Sequence, residues 1–168
     1  MAAKAVRTVF SAVDANSVNN YANYWKDLQV TTNAEYFKRW LFAFCSVHTT
    51  WESNVSAYNE IKAYSEWLGD PEALRARLIK GRAGLFNNRT KFIHSFATSF
   101  WGDPGSYYRK LGEPWREFRD RLSERTLGLG PAKTSFALEL AFPLEAGVAC
   151  LDVHMLRLYG DDKAGAKP

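Results

Sequence analysis

Cysteine is scarce in this chain of 168 residues, which has only Cys45 and Cys150. Two thiols cannot build a disulfide framework, a four-thiolate zinc site or a thiolate-held iron–sulfur cluster. Each lies among apolar neighbours, in Phe42-Ala43-Phe44-Cys45 and Val148-Ala149-Cys150-Leu151, so both read as buried thiols. Histidine is nearly as rare, and His48, His94 and His154 stand too far apart in the sequence to suggest a metal cage. No apolar run approaches the roughly 18 residues of a membrane span, and Met1-Ala2-Ala3-Lys4 leads into no signal-peptide core. Alternating strand patterns, fixed-period repeats and low-complexity linkers are also missing. These absences predict a soluble, unsecreted, intracellular protein with no membrane partner.

Apolar and aromatic residues are plentiful. The 46% hydrophobic content, with 15% aromatics, excludes global disorder, and a chain of this length can bury a workable core without covalent staples. The net charge is +4, a mild excess that suits a polyanion without proving one. It is unevenly spread: between Arg75 and Arg89 lie Arg75, Arg77, Lys80, Arg82 and Arg89 with one acid-free stretch between them. On charge alone such a run is first a solvated face.

The patterning is helical throughout. Thr32-Asn33-Ala34-Glu35 has the spacing of a capping box, and the following stripe runs through Tyr36, Phe37, Trp40, Leu41 and Phe44. Asp70-Pro71 offers an N-cap followed by proline at the first helical position, with Leu74, Leu78 and Ile79 as the buried side. Val55, Tyr58 and Ile61 mark a helix between these two. Phe92, Ile93, Phe96 and Phe100 mark one ending near Gly102-Asp103-Pro104-Gly105. Trp115, Phe118 and Leu122 mark the next, Pro131 opens another with Phe136, Leu138 and Leu140, and a last is expected around Val153 to Tyr159. The expected class is all-α, with nine or ten short helices.

Two segments carry chemistry. In Leu127-Gly128-Leu129-Gly130-Pro131, two glycines one residue apart permit a tight turn of positive φ and leave the backbone uncovered. The helix begun by Pro131 aims free N–H groups at that turn, an anion site for a phosphate oxygen that positions without reading sequence. An ordinary interhelical turn has the same signature. Downstream, Leu151-Asp152-Val153-His154 sets a carboxylate at the mouth of an apolar helix. Asp152 reads equally as an N-cap and as an ionised carboxylate aimed into a cleft.

Together these segments resemble the helix-hairpin-helix DNA glycosylases, the superfamily of endonuclease III, the adenine mismatch glycosylase and the 8-oxoguanine glycosylases. The hairpin match is Leu127-Gly128-Leu129-Gly130 and the carboxylate match is Leu151-Asp152-Val153-His154. Lys133 and Asp152 stand 19 positions apart, as in the 8-oxoguanine branch. Upstream, Gly84-Leu85-Phe86-Asn87-Asn88-Arg89 resembles the segment whose leucine wedges into the base stack. Ser46-Val47-His48-Thr49-Thr50-Trp51 is similar to the segment that fills the gap left in the opposite strand. The matches fall in family order over roughly residues 35 to 159.

The resemblance implies a two-lobed helical fold with an abbreviated second lobe. Residues 30–134 would form the central lobe with the hairpin, and 1–29 with 135–168 the terminal lobe, within a single unit of 1–168. It implies base-excision glycosylase and AP lyase activity on double-stranded DNA bearing a damaged or modified base, performed by a monomer. Lys133 would attack C1′ and form a Schiff base, and Asp152 would stabilise the oxocarbenium-like transition state. His48, Leu85, Phe86, Asn87, Arg89, Gly128, Leu129 and Gly130 would contact DNA. Trp40 and Trp51 are candidates to line the base pocket, although aromatic residues at helical spacing are more commonly core, while His94 and His154 belong to the scaffold. No cofactor is expected and the family's iron–sulfur segment is missing, although the resemblance allows a monovalent cation at the hairpin.

One departure leaves alternatives open. Most bifunctional relatives carry the lysine two residues after the last hairpin glycine, where this chain has Ala132. A one-residue shift turns a helical side chain by about 100°. Either the hairpin holds one extra residue and Lys133 reaches the site, which the spacing to Asp152 favours, or the nucleophile is lost. The remaining readings are then a monofunctional glycosylase using water with Asp152 alone, or a non-catalytic DNA-binding module.

Overall fold

The computed structural model describes residues 15–26 and 28–151, and every regular element among them is helical. In chain order these are α1 (Ala15–Lys26), α2 (Asn33–Cys45), α3 (Trp51–Ile61), α4 (Pro71–Lys80), α5 (Phe86–Gly102), α6 (Trp115–Arg125) and α7 (Pro131–Ala141). Short 3-10 turns occupy Tyr64–Glu66 and Pro104–Tyr107. None of the described helices is long and apolar enough to cross a membrane. The expected all-α class is therefore observed. The helix expected around Val153 to Tyr159 lies outside the described residues, as do Asp152 and His154, and α1 had no mark in the sequence patterning.

Local signals start the helices where the sequence places them. The Thr32 side chain accepts from the Glu35 N–H, and the Glu35 carboxylate returns to the N–H groups of Thr31 and Thr32 at 2.8 and 3.1 Å, closing the capping box. Asp70 accepts from the N–H groups of both Glu72 and Ala73 at 3.0 Å, ahead of Pro71 at the first helical position. Pro131 likewise opens α7, whose N-cap Gly130 supplies no side chain, so the first N–H groups of that helix stay open to an outside acceptor.

Helix α2 is the hub, packing against α3, α5 and α7. Its stripe of Tyr36, Phe37, Trp40 and Leu41 is fully buried. Phe37 stacks on Phe96 with ring centroids 5.4 Å apart, and Trp40, Phe100 and Tyr107 close around the same pair. Each such side chain withdrawn from water contributes roughly 1.5–3 kcal/mol. Trp40 is thus core, correcting its expected place beside the base, because the α2 stripe that contains it faces α5. Ile79 is 45% exposed and lies off the buried side of α4, which Leu74 and Leu78 supply. Cys45 is buried as expected, whereas Cys150 is only partly so.

Helices α3 and α4 meet closely at Gly81, where a Cβ would lie 2.7 Å from the Ala57 Cα. The boundary expected between lobes after residue 134 falls inside α7, where Thr134 and Ser135 are both fully buried.

Candidate functional site

Residues 126–130 form the turn that joins helices α6 and α7. Gly128 sits at φ +89°, and a Cβ there would lie 2.3 Å from the Phe92 ring of α5. Glycine is required here both for conformation and for close approach. Gly130 has neither restriction: its φ is −83° and nothing lies within 4 Å of the Cβ position. Leu129, expected at the DNA, instead buries its side chain in the core at 3% exposure, so only its backbone belongs to the turn surface. Leu127, 53% exposed, is the apolar side chain the turn presents outward. Of the turn's carbonyls, Thr126 and Leu129 already accept from the Leu129 N–H and the Ser123 hydroxyl.

A cleft of about 230 Å³ runs beside this turn, lined by Phe44, Val47, His48, Leu85, Asn88, Arg89, Phe92 and Gly128. Three segments far apart in the chain thus meet, carrying the expected wedge, the expected gap-filling residue and the hairpin. Leu85 is 57% exposed. Leu85 and His48 both lie in the left-handed region, at φ +56° and +48°. That conformation costs a residue with a side chain roughly 1–2 kcal/mol, and it persists only where surrounding contacts impose it.

Arg89 is the imposing contact. Its Nε donates to the Gly84 carbonyl at 2.6 Å, and its Nη1 to the carbonyls of Phe44 and Cys45 at 2.6 and 2.7 Å; Nη2 donates to Val47. One guanidinium ties the residue before Leu85 to the residue before His48, and it satisfies two carbonyls at the C-terminal end of α2. At 4% exposure with its donors spent on backbone, Arg89 is not the DNA contact expected from the sequence. Burial lowers its pKa from the ordinary arginine value. The Cys45 thiol beneath it is pushed up to about 12 by burial, with Arg89 pulling the other way, so it is no nucleophile.

The neighbouring positions also sort themselves. Phe86 is half-buried with the Arg75 guanidinium 5.1 Å over its ring, so of the two expected wedge residues only Leu85 is exposed. Asn87 is exposed, but its Oδ1 accepts from Arg75 Nε at 2.9 Å, and it is Asn88 that lines the cleft. Within the basic run, Arg77 pairs with Glu66, and Lys80 lies 3.0 Å from Glu60. Arg75 and Arg82 have no acidic partner among the described residues.

The 46–50 loop also lines a second cleft, of about 210 Å³, with Ser46, Thr49, Thr50, Trp51, Asn54, Lys133 and Phe136 around it. Lys133 is half-buried in the first turn of α7, its Nζ 5.4 Å from the centroid of the Phe136 ring. Its amine therefore borders this cleft. Trp51, the other expected pocket residue, lines this cleft at 67% exposure, its ring set edge-to-face against Phe42. Asn54 was not anticipated. It is 3% exposed, and its carboxamide oxygen meets no donor among the described residues, which costs about 1–3 kcal/mol if left unmet. The sequence signal for it is an asparagine on the buried stripe of α3, in line with Ala57 and Ile61.

Glu139 was also missed. It lines a third cavity, of about 450 Å³, with Phe136, Leu140, Pro143, Leu144, Ala146 and Val148. Burial raises its pKa, opposed by the Cys150 N–H that donates to it at 3.3 Å. An acid within the apolar α7 segment is the corresponding signal. No group of three His, Cys, Asp or Glu side chains that could hold a metal occurs among the described residues. His94 is half-buried on α5, away from the residues lining either cleft. Asp152 itself lies outside the described residues.

Chemically, the two clefts offer separate functions. One presents an exposed leucine, a histidine and an open backbone turn. The other presents a primary amine and an aromatic face. Comparison with protein-family models, curated proteins and solved structures finds no match to this chain.

Proposed function

We propose that this protein is a DNA base-excision glycosylase with a coupled AP lyase step, acting on a damaged or modified base in duplex DNA. The observation that carries this reading is the 46–50 loop. Its His48 lines a cleft with Leu85 and Gly128, and its Thr49 and Thr50 line another with Lys133. In this reading a duplex engaged at the first cleft delivers its extruded nucleotide to the second.

Each part has a defined task. The turn's open backbone and the α7 N–H groups hold a phosphate. Leu85 enters the vacated stack and His48 the gap opposite, offsetting an unstacking cost of a few kcal/mol. Trp51 offers a ring face to the extruded base. The free amine of Lys133 attacks C1′; the C1′–N bond breaks, and its electron pair leaves with the base. The ring then opens to a protonated imine, which acidifies the C2′ proton. Loss of that proton expels the 3′ phosphate by β-elimination. Asp152 is assigned the electrostatic stabilisation of the sugar's developing positive charge, on the sequence resemblance.

Borohydride trapping tests this reading. Wild-type protein with duplexes carrying an abasic site or a single modified base should form a covalent adduct, which Lys133→Ala abolishes while retaining salt-sensitive duplex binding. Base release that survives Lys133→Ala but not Asp152→Asn assigns the water-using route instead. Salt-sensitive binding with neither adduct nor base release in the wild type refutes the enzymatic reading.

A further inference from the structure

We propose that Arg75, Arg82 and Lys91, on α4, α5 and the turn between them, form a phosphate-binding surface that holds the DNA backbone running past Leu85. This rests on the duplex binding in the reading above and not on the chemistry at Lys133. From Ala73 to Gly102 the chain holds no acid, and its lysines and arginines there are Arg75, Arg77, Lys80, Arg82, Arg89 and Lys91. The structure divides them. Arg77 and Lys80 are neutralised by Glu66 and Glu60, from the 3-10 turn and α3. Arg89 is buried among backbone carbonyls. Arg75, Arg82 and Lys91 form no ion pair among the described residues.

Those three flank the exposed leucine. Arg82 is exposed in the 81–85 turn that presents Leu85, and like Leu85 it lies in the left-handed region, at φ +56°. Arg75 reaches across from α4: its Nε donates to Asn87 Oδ1 at 2.9 Å, and its guanidinium lies 5.1 Å from the centroid of the Phe86 ring. These contacts hold the fork in place while its Nη groups meet no partner among the described residues. A guanidinium so held gives up little freedom when it takes a phosphate oxygen. Lys91 is exposed one helical turn beyond Asn87, on the same face of α5, and about 9 Å along the helix from Leu85. That length matches roughly two to three phosphates, at about 3.4 Å of axis for each along one strand. A paired cation has its charge answered within the chain, whereas an unpaired one displaces a counterion from DNA. The surface orients the duplex and carries no base preference, since phosphate contacts position a protein without reading sequence.

The division between paired and unpaired cations defines the experiment. Binding to a duplex with one abasic site is measured by fluorescence anisotropy over about 50–200 mM salt. Arg75→Gln, Arg82→Gln and Lys91→Gln should each reduce the slope of log Kobs against log salt by about 0.9, and the triple variant by about three times that. Arg77→Gln and Lys80→Gln remove the same charge from α4 and should leave the slope unchanged. All should melt close to wild type, because none of these side chains lies in the core. Arg75→Lys should keep the wild-type slope although it loses the bond to Asn87, a rescue that a merely structural role for Arg75 does not allow. An unchanged slope in the triple variant overturns the inference. So does an equal fall in Arg77→Gln and Lys80→Gln, which marks attraction by net charge alone. A wild type that binds vesicles of anionic lipid but no duplex overturns it together with the reading above. A wild type that shows these slopes yet neither traps abasic DNA with borohydride nor releases base overturns the chemistry and supports the surface.

Discussion

Replacing Arg89 tests the architecture of the wedge cleft most directly. Its guanidinium donates to four carbonyls, those of Gly84, Phe44, Cys45 and Val47, at a position 4% exposed. A hydrogen bond to a charged donor contributes about 1.5–3 kcal/mol, so four at the low end come to about 6 kcal/mol. Desolvation of the guanidinium takes back several kcal/mol. Arg89→Met, of similar length and unable to donate, should therefore lose about 3 kcal/mol of folding free energy in urea titration. For a chain of this size that is a fall in Tm of roughly 6–12 °C. Arg89→Lys, whose ammonium can reach some of the four carbonyls, should lose less. A loss below about 1 kcal/mol for Arg89→Met refutes the structural role. The salt dependence of duplex binding separates this role from the phosphate contact that the sequence suggested. A phosphate-contacting arginine reduces the slope of log Kobs against log salt by about one when removed; a buried structural one leaves the slope unchanged.

The hairpin glycines should part company. Gly128→Ala places a Cβ 2.3 Å from the Phe92 ring at φ +89° and should cost about 2–4 kcal/mol in thermal or urea denaturation. Gly130→Ala meets nothing within 4 Å and should stay within about 0.5 kcal/mol of wild type, while weakening duplex binding by crowding the approach of a phosphate; equal destabilisation by the two would contradict the turn geometry. Glu113 gives the pH dependence. Bidentate bonds to Arg121, at 2.7 and 2.8 Å, together with the Lys110 N–H, hold its carboxyl at about 2, below the ordinary 4.5. The folded state binds its proton less readily than the unfolded chain, so this contribution is present above about pH 4.5 and disappears as pH falls toward 2. Melting temperature across that window should decline less steeply in Glu113→Gln than in wild type, and identical slopes would refute the assignment.

Much of the scaffold is legible because its signals are local. A capping box needs only residues three apart, so Thr32 and Glu35 identify the start of α2 without any partner helix. The same holds for Asp70-Pro71 and for Pro131. Spacing also reveals Gly128 and Lys133, since two glycines between helical stripes mark a turn and the following residues must begin a helix. What failed was the assignment of environment. Arg89, Trp40 and Leu129 have the residue types of a DNA contact, a base-stacking ring and an exposed turn, yet all three are buried. Whether an arginine faces phosphate or backbone carbonyls depends on a loop more than 40 residues away in sequence, which no local pattern encodes.

The sequence by itself determined the helices, their starts, the glycine turn and the all-α class, because these follow from nearest-neighbour hydrogen bonding and helical periodicity. Only the tertiary structure decided that His48, Leu85 and Gly128 share a cleft, that Arg89 is the tie behind them, and that Trp51 and Lys133 line another. Those facts depend on how α2, α3, α5 and α7 pack together. Burial, not residue type, fixes which polar atoms must find their partners within the chain.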